Sequence, residues 1–428
     1  MFYSRTTAFF VVFLLFFTLF FGFAAFASDR HDVYGNVADY LNRIFGIDNN
    51  AGLTTFPILN IPMGGRAEGM IAFSATSDDI SSIEINPAGS SMLRKSELAF
   101  FHNNWIADTR IEGVAYTTRF GNFGIGGGAR ILYTPFTQYN IYGDRVSGGF
   151  YSEGVAILNM SYNFLSGFYF SGISLGINLK GAYRIMPDFA DRYDNIMSGS
   201  GLEQSTVMGM VDIGLLTRFN FLKTFSSRER NAAASLVIRN LGPPAMGEPL
   251  PTSINLGFSY KPLRPLTLGL DFTLPVNLMD PGLSELPFGA FGFAVNVTDF
   301  LSMHGGFMLR AGGSRIAIGS VINLNRIAVD VNYTLDLLTQ LQPLNRVSLA
   351  VRFDLGDRDR RQLADNVDEL YLLGLEAFSR GNFADARLLW EEALRINPRF
   401  DPARESLTML DNREELLQRI ESLYRLEF

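Results

Sequence analysis

The sequence predicts an all-β chain: a transmembrane antiparallel β-barrel of about fourteen strands with an N-terminal plug, or hatch, followed by a small all-α domain. Three observations carry this prediction. Between Glu97 and Leu355, segments alternate apolar with polar or small residues, and a period of two sustained over about ten residues marks a membrane-spanning strand, longer than those of a soluble sandwich. Beyond residue 27, no run approaches the 18 or so consecutive apolar residues of a membrane helix. With 41 glycines and 38 phenylalanines against 18% charged residues, the composition is unlike that of a soluble enzyme of 428 residues.

The chain opens with a basic start, Met1 to Arg5, an apolar run, Ala8 to Phe26, and the small-residue pattern Ala25-Phe26-Ala27. Residues 1–27 are therefore expected to be a signal peptide cleaved after Ala27; an uncleaved anchor is the other reading of so long a run. The chain has no cysteine, so neither a disulfide, a Cys-based metal site nor the lipid-attachment Cys of a lipoprotein is expected. A net charge of -7 and a pI near 5.2 argue against nucleic acid as a partner, because no basic stripe exists to neutralise phosphates.

Residues 28–95 are read as an N-terminal helix and the hatch. Val37, Leu41, Ile44 and Phe45 follow helical spacing, and this short helix is expected at the periplasmic mouth. The stretch from Pro62 to Ser90 fits no spanning pattern. It carries Gly64-Gly65-Arg66-Ala67-Glu68-Gly69, then Asp78-Asp79, then Asn86-Pro87-Ala88-Gly89. Small residues, paired acids and an Asn-Pro step favour compact, turn-rich backbone, since proline fixes its own φ and keeps the residue before it out of the helical region. Such a segment fills a lumen better than it spans a wall.

Residues 96–356 are assigned to the barrel. Its clearest strands are Ile173 to Leu179, Leu266 to Leu274, Ile327 to Leu335 and Val347 to Leu355, each with one apolar face. With the first strand running outward, connections should alternate between long outer loops, such as Thr134 to Ser152 and Ile185 to Glu203, and short inner turns, such as Pro262 to Arg264. Phe221 to Arg230 is long for an inner turn, and Ala311 to Gly313 short for an outer loop. In the third strand, Gly124, Gly126, Gly127 and Gly128 have two readings: a bulge or kink in the wall, or close packing against the hatch.

A charged linker, Gly356 to Arg361, leads into residues 357–428, which turn helical, rich in Leu, Glu and Arg. Gly374, Ala377, Ala386, Trp390, Ala393 and Pro398 stand at the spacing of one tetratricopeptide repeat, which this stretch resembles. A third helix from Asp401 would cap a lone repeat that cannot bury its own face. The terminal Phe428 is not expected to be a barrel-assembly signal; Phe353 in the last strand is the candidate.

No enzymatic constellation emerges. Gly172-Ile173-Ser174-Leu175-Gly176 matches a nucleophile-elbow formula but lies inside an alternating strand with no following helix. The glycine run at 124–128 leads into a strand and not into a phosphate-binding helix. His31, His102 and His304 lack ligand spacing and are expected to be solvated or lumenal. Two adjacent carboxylates, Asp78 and Asp79, suit a salt bridge or turn cap better than a cation. No catalytic residue, cofactor or metal is expected.

The order and spacing of Gly65-Arg66, Asp78-Asp79 and Asn86-Pro87-Ala88-Gly89 ahead of the first strand resemble the hatch of FadL-type outer-membrane fatty-acid transporters and of their PorV-type relatives. The resemblance covers roughly Val33 to Leu355; the helical extension departs from it. It implies an outer-membrane barrel with its C-terminal domain in the periplasm, passive uptake of a hydrophobic molecule such as a long-chain fatty acid, and a lateral exit at the glycines of the third strand. The PorV-type alternative implies an interaction platform for protein secretion or surface anchoring. Expected partners are membrane lipid, the hydrophobic ligand and a periplasmic protein bound by the helices. Tyr139, Tyr142, Phe150 and Tyr151 in one outer loop and Phe189 and Tyr193 in another are candidates for capture, because clustered exposed apolar side chains make a hydrophobic surface. Arg130, Lys180 and Arg184 are candidates near a ligand headgroup.

Overall fold

The computed structural model describes residues 48–426 except 106–107, 192, 194, 202–203, 228, 312 and 338–343, together with 40, 43 and 46. The expected signal peptide, residues 1–27, lies outside them, as do Val37, Leu41, Ile44, Phe45 and Phe428.

Among the described residues, fourteen antiparallel strands close into a barrel. They are β1 (Glu97–Asn104), β2 (Arg110–Phe120), β3 (Phe123–Tyr139), β4 (Arg145–Phe164), β5 (Ile173–Ile185), β8 (Thr206–Phe219), β9 (Ala232–Leu241), β10 (Ser253–Leu263), β11 (Leu266–Pro275), β12 (Phe288–Asn296), β13 (Leu301–Leu309), β14 (Ser314–Leu324), β15 (Ile327–Leu337) and β16 (Leu344–Asp354). The short strands β6 (Phe189–Ala190) and β7 (Ile196–Met197) form a separate hairpin between β5 and β8. Closure comes from β16 pairing with β1, with Phe100 opposite Val351.

The faces of the strands show which solvent surrounds them. In β5, Ile173, Leu175, Ile177 and Leu179 are exposed while Ser174, Asn178 and Lys180 are buried. The same inversion recurs with Leu270 and Phe272 outside and Asp271 and Thr273 inside β11, and with Val331 and Tyr333 outside and Asp330, Asn332 and Thr334 inside β15. An apolar exterior around a polar interior is the surface of a barrel standing in lipid, where every strand must also find its hydrogen bonds within a closed sheet. No helix among the described residues is long and apolar enough to cross a membrane.

The hatch fills the interior, folded as three 3-10 turns, Pro57–Asn60, Ile80–Glu84 and Pro87–Met92, and one short helix, Gly65–Met70. Its described route starts at one mouth of the barrel and ends at the other. Tyr40 and Arg43 are helical, but the segment that follows joins the mouth bearing the longer loops: Asp48 accepts from the Leu286 amide at 2.8 Å, Asn50 donates to the Ser284 carbonyl at 3.0 Å, and the Thr55 amide donates to Pro249 at 3.0 Å. The chain runs from that mouth through the lumen to the opposite one, where the Ser96 amide meets the Gly356 carbonyl at 2.8 Å.

Two expectations are corrected. The segment Thr134 to Ser152 is mostly ladder: β3 extends to Tyr139 and β4 begins at Arg145, because the β-branched and aromatic residues on both sides continue the pairing above the rim. The glycine run makes no bulge. Gly124, Gly126, Gly127 and Gly128 keep regular register with both β2 and β4, and the shift in β3 falls at Gln138/Tyr139.

Beyond Gly356, three helices follow: Arg360–Ser379, Phe383–Ile396 and Asp401–Leu426. Trp390 is buried against Gly374, where any side chain would collide with the indole. Ala386 and Ala393 are buried around it, and Ala377 packs on the same cluster. Pro398, expected in this core, is exposed; the bend it makes instead delivers Phe400, which is buried. The helices rest on the β4–β5 turn, with the Phe168 and Phe400 rings 5.2 Å apart and Tyr169 donating to Glu405 at 2.9 Å.

Candidate functional site

The lumen divides into a wired polar part and an apolar part. Gly65 opens the short hatch helix at φ +67, a conformation that favours glycine, and the next residue, Arg66, pairs with Asp78 at 2.7 Å and Asp79 at 3.4 Å. Burial opposes charge on Asp78, but Arg66, with Lys261 and Arg218, holds its carboxyl below the usual range. Asp79 reaches the wall through Arg352 at 3.0 Å, and Arg352 in turn pairs with Asp330 at 2.8 Å. Asn86 caps its turn by accepting from the Ala88 amide at 3.0 Å, and donates to the Ser74 carbonyl at 2.9 Å. Pro87 and Ala88 present carbonyls to Asn159 at 3.0 Å and Ser174 at 2.7 Å. Gly89 lies so near Ser82 that a Cβ would sit 2.7 Å from its hydroxyl. The predicted hatch residues thus come together on the inner wall of β4, β5, β8 and β16.

Two glycines of β3, Gly124 and Gly126, belong to the same contact, while Gly128 meets only Val114 and Ala115 of β2. A Cβ on Gly124 would overlap the backbone of Ser90 and Ser91, and one on Gly126 would stand 3.0 Å from Ile83. Gly127 points outward. The inward pair therefore admits the hatch to the wall, and the unbroken ladder leaves no gap there.

Sequence reasoning missed the strongest anchors. Glu68 is fully buried, 2.7 Å from Arg346 and 3.1 Å from the Thr334 hydroxyl. Asp271 accepts from the Phe73 and Ser74 amides at 3.1 Å each, and His304 meets Asn332 at 2.6 Å. Their signal was a charged residue on the polar face of a strand or beside hatch glycines, which says "inward" without naming a partner. His102, expected to be solvated or lumenal, is on the membrane side of β1, paired with Glu112 of β2 at 2.8 Å. The candidate headgroup cations are all engaged: Arg130 with Glu84 at 2.8 Å, Lys180 with Asp212 at 2.6 Å, and Arg184 with the Thr55 hydroxyl at 3.0 Å. Among the described residues no group of three His, Asp or Glu could hold a metal ion.

Toward the long-loop mouth the interior becomes apolar. Phe56, Ile58, Leu59 and Ile61 of the hatch pack against inward Ile111, Leu132, Val155, Ile157, Ala182 and Met210 of β2–β5 and β8, with Trp105, Tyr151 and Met208 at the margin. The six loop aromatics do not converge. Tyr142 and Tyr193 stand at turn tips, 83% and 85% exposed; Tyr139 and Phe150 are exposed on the hairpin; Phe189 tilts on Phe136 at 6.2 Å. Tyr151 turns inward and donates to Glu153 at 2.5 Å. The two loops are nonetheless joined, since Gln138 exchanges hydrogen bonds with Ala190 at 2.8 and 2.9 Å.

Among solved structures, the chain is similar to the CymD monoaromatic hydrocarbon channel, with 9% identity, TM-score 0.46, 69% of this chain and 97% of that one covered. It is also similar to the deltaS2 mutant of the TodX monoaromatic hydrocarbon channel, with 9% identity, TM-score 0.44, and coverage of 70% and 100%. Two UPF0164 proteins of Treponema pallidum (strain Nichols) are similar in sequence. One is 30% identical over 367 residues, 81% of this chain and 80% of the relative; the other is 25% identical over 393 residues, 85% and 76%. The profile described as "Uncharacterised protein family (UPF0164)" matches residues 35–358, the hatch and barrel without the three helices. The chain belongs to the UPF0164 family.

Proposed function

We propose that this barrel is an outer-membrane conduit for hydrophobic molecules, with a long-chain fatty acid as the substrate, working in the manner of FadL-type transporters. The observation that carries the reading is the apolar core packed between hatch and wall beneath the long loops. Barrel lumens that conduct water-soluble solutes are polar, whereas here Phe56, Ile58, Leu132, Val155 and Met210 pack into a buried hydrocarbon layer under that mouth, which an entering hydrophobic molecule would part. Exposed Tyr139, Tyr142, Phe150 and Tyr193 supply a capture surface outside it. A ligand there is kept from the polar part of the lumen by the hatch, so movement of the hatch or of the wall accompanies transport.

The helices favour a second, compatible role. Leu372, Leu388 and Met409 are exposed on a module otherwise rich in charge, which supports a repeat-like surface for a periplasmic partner and, with it, a PorV-like platform. The test is direct: mass spectrometry of lipid co-purifying with the protein, beside uptake of labelled palmitate by cells with and without it. Co-purified fatty acid and protein-dependent uptake are expected. Absence of both, with a protein partner recovered on the helices, would replace transport by the platform.

A further inference from the structure

The apolar core fills only one side of the long-loop mouth. On the other side, a polar recess of about 50 Å³ lies between the hatch entry and the wall. It is lined by Thr54 and Asn60 of the hatch, Arg239 of β9, Ser253 of β10, Glu285 of the β11–β12 loop and Arg310 just beyond β13. At about 10–15 Å³ of such space per water, this is room for a few waters or for one small polyatomic ion. Leu53 and Leu283, which also line it, are exposed, so the recess meets solvent.

Arg239 is the residue that needs an explanation. It shares the inward face of β9 with buried Ser235 and Val237, and its partner across the ladder, Ser253, is buried as well. Its Nε is buried without a hydrogen-bond partner, and among the described residues the guanidinium forms no ion pair. The charged groups around it are spent on one another. Glu285 accepts from Arg310 and from the Gly52 amide at 3.1 Å, Lys180 pairs with Asp212 at 2.6 Å, and Asp271 accepts from the Ser74 hydroxyl at 2.6 Å. A charge withdrawn from water without a partner is costly, and this lumen pairs charges at each of those neighbouring positions. Arg239 and Arg310 against Glu285 leave the recess with a positive charge in excess.

We propose that the recess binds inorganic phosphate in its singly charged form, and that the bound ion bridges hatch and wall. A guanidinium presents its donors in a planar fork that matches two oxygens of a phosphate. Thr54 and Asn60 on the hatch side and Ser253 on the wall side add neutral donors. Glu285 selects among oxyanions of this size: dihydrogen phosphate has O–H groups that donate to a carboxylate, whereas sulfate has none and meets that carboxylate with repulsion. An ion held by Arg239 and by Thr54 and Asn60 together favours the seated hatch, because it binds only where both surfaces are in place. The site lies on the lumenal face of the wall, away from lipid, and does not rest on the transport of hydrophobic molecules.

The test uses the full chain in detergent micelles, in mildly acidic buffer where phosphate is mainly singly charged. Inorganic phosphate and, separately, sulfate are titrated at equal ionic strength, with calorimetry for binding and hydrogen exchange for the hatch. Saturable phosphate binding at least about tenfold tighter than that of sulfate is expected, with slower exchange of the amides between residues 50 and 60; the tenfold gap corresponds to one hydrogen bond to a charged group. Arg239→Gln removes no hydrogen bond or ion pair among the described residues, so it should fold, as heat-modifiable migration in gels verifies, and should lower phosphate affinity at least about tenfold. Glu285→Gln should narrow the gap between phosphate and sulfate. No saturable binding, sulfate bound as tightly as phosphate, or undiminished affinity in a folded Arg239→Gln overturns the proposal, and the first two are read on the unaltered chain. Phosphate binding that leaves the exchange of residues 50–60 unchanged overturns the bridge. Glycerol 3-phosphate bound as tightly as phosphate overturns the choice of the free ion, since the recess has no room for the glycerol.

Discussion

The buried pair of Glu68 and Arg346 sets the hold of the hatch on the wall, and Glu68→Gln tests it. Both side chains are withdrawn from solvent, at 1% and 0% exposure, and the Arg346 Nε donates to Glu68 at 2.7 Å. Among the described residues, the nearest other carboxylate contact is Asp336 at 3.9 Å, and Nη1 and Nη2 of Arg346 have no hydrogen-bond partner. Removing the Glu68 charge leaves a guanidinium stranded in the lumen, which costs about 3–5 kcal/mol. At about 1.4 kcal/mol per decade, the equilibrium for hatch release rises by about two to three and a half orders of magnitude. Hydrogen exchange of the amides between residues 57 and 92, in detergent micelles, reads this directly, since strand amides in the closed barrel serve as an internal control. The double variant Glu68→Leu with Arg346→Met should recover most of the protection, because replacing both charges by apolar groups of similar volume removes the stranded cation. Unchanged exchange in Glu68→Gln, or a double variant as loose as the single one, would refute the reasoning.

Gly124→Val should displace the hatch or block folding, because its side chain meets the Ser90–Ser91 backbone, whereas Gly127→Val, which would face outward at 3.4 Å from the nearest carbonyl, should fold normally; refolding yield compares them. Asp78 stabilises the hatch above about pH 4, and its contribution is lost as the pH falls through its depressed folded-state value. Acidification should therefore speed exchange in the hatch, and Asp78→Asn should exchange faster at neutral pH with a flatter acid response. Truncation after Gly356 should leave the barrel folded, while Trp390→Ala should cost the helices about 3–5 kcal/mol, seen as loss of helical circular dichroism on warming. Protease added to intact cells should cut near residues 140–144 or 191–195 and spare the helices; cleavage beyond Gly356 would reverse the orientation.

Strand existence was legible because period-two alternation is local: each rung of Ile173 to Leu179 or Ile327 to Leu335 announces its two faces without reference to any other segment. The helical extension was legible for the same reason at a period of 3.6, and the small residues Gly374, Ala386 and Ala393 marked where Trp390 would sit. Loop limits were less so, since Thr134 to Ser152 contains strand-forming residues whose pairing continues past the rim. The hatch was recognisable as a plug from its turn chemistry, but its direction through the barrel was not, because Asp48 and Asn50 cap loop backbone more than 230 residues away in sequence.

The sequence by itself determined an alternating, cysteine-free chain with a compact segment before the strands and helices after them, since these properties are written in neighbouring residues. Only the tertiary structure decided what the glycines of β3 are for, that Glu68 meets Arg346 across 278 positions, and that Arg239 and Ser253 share one recess. Those facts follow from ring closure and strand register, which bring distant rungs side by side; a change of register by one residue would turn every one of these side chains to the opposite face of the wall.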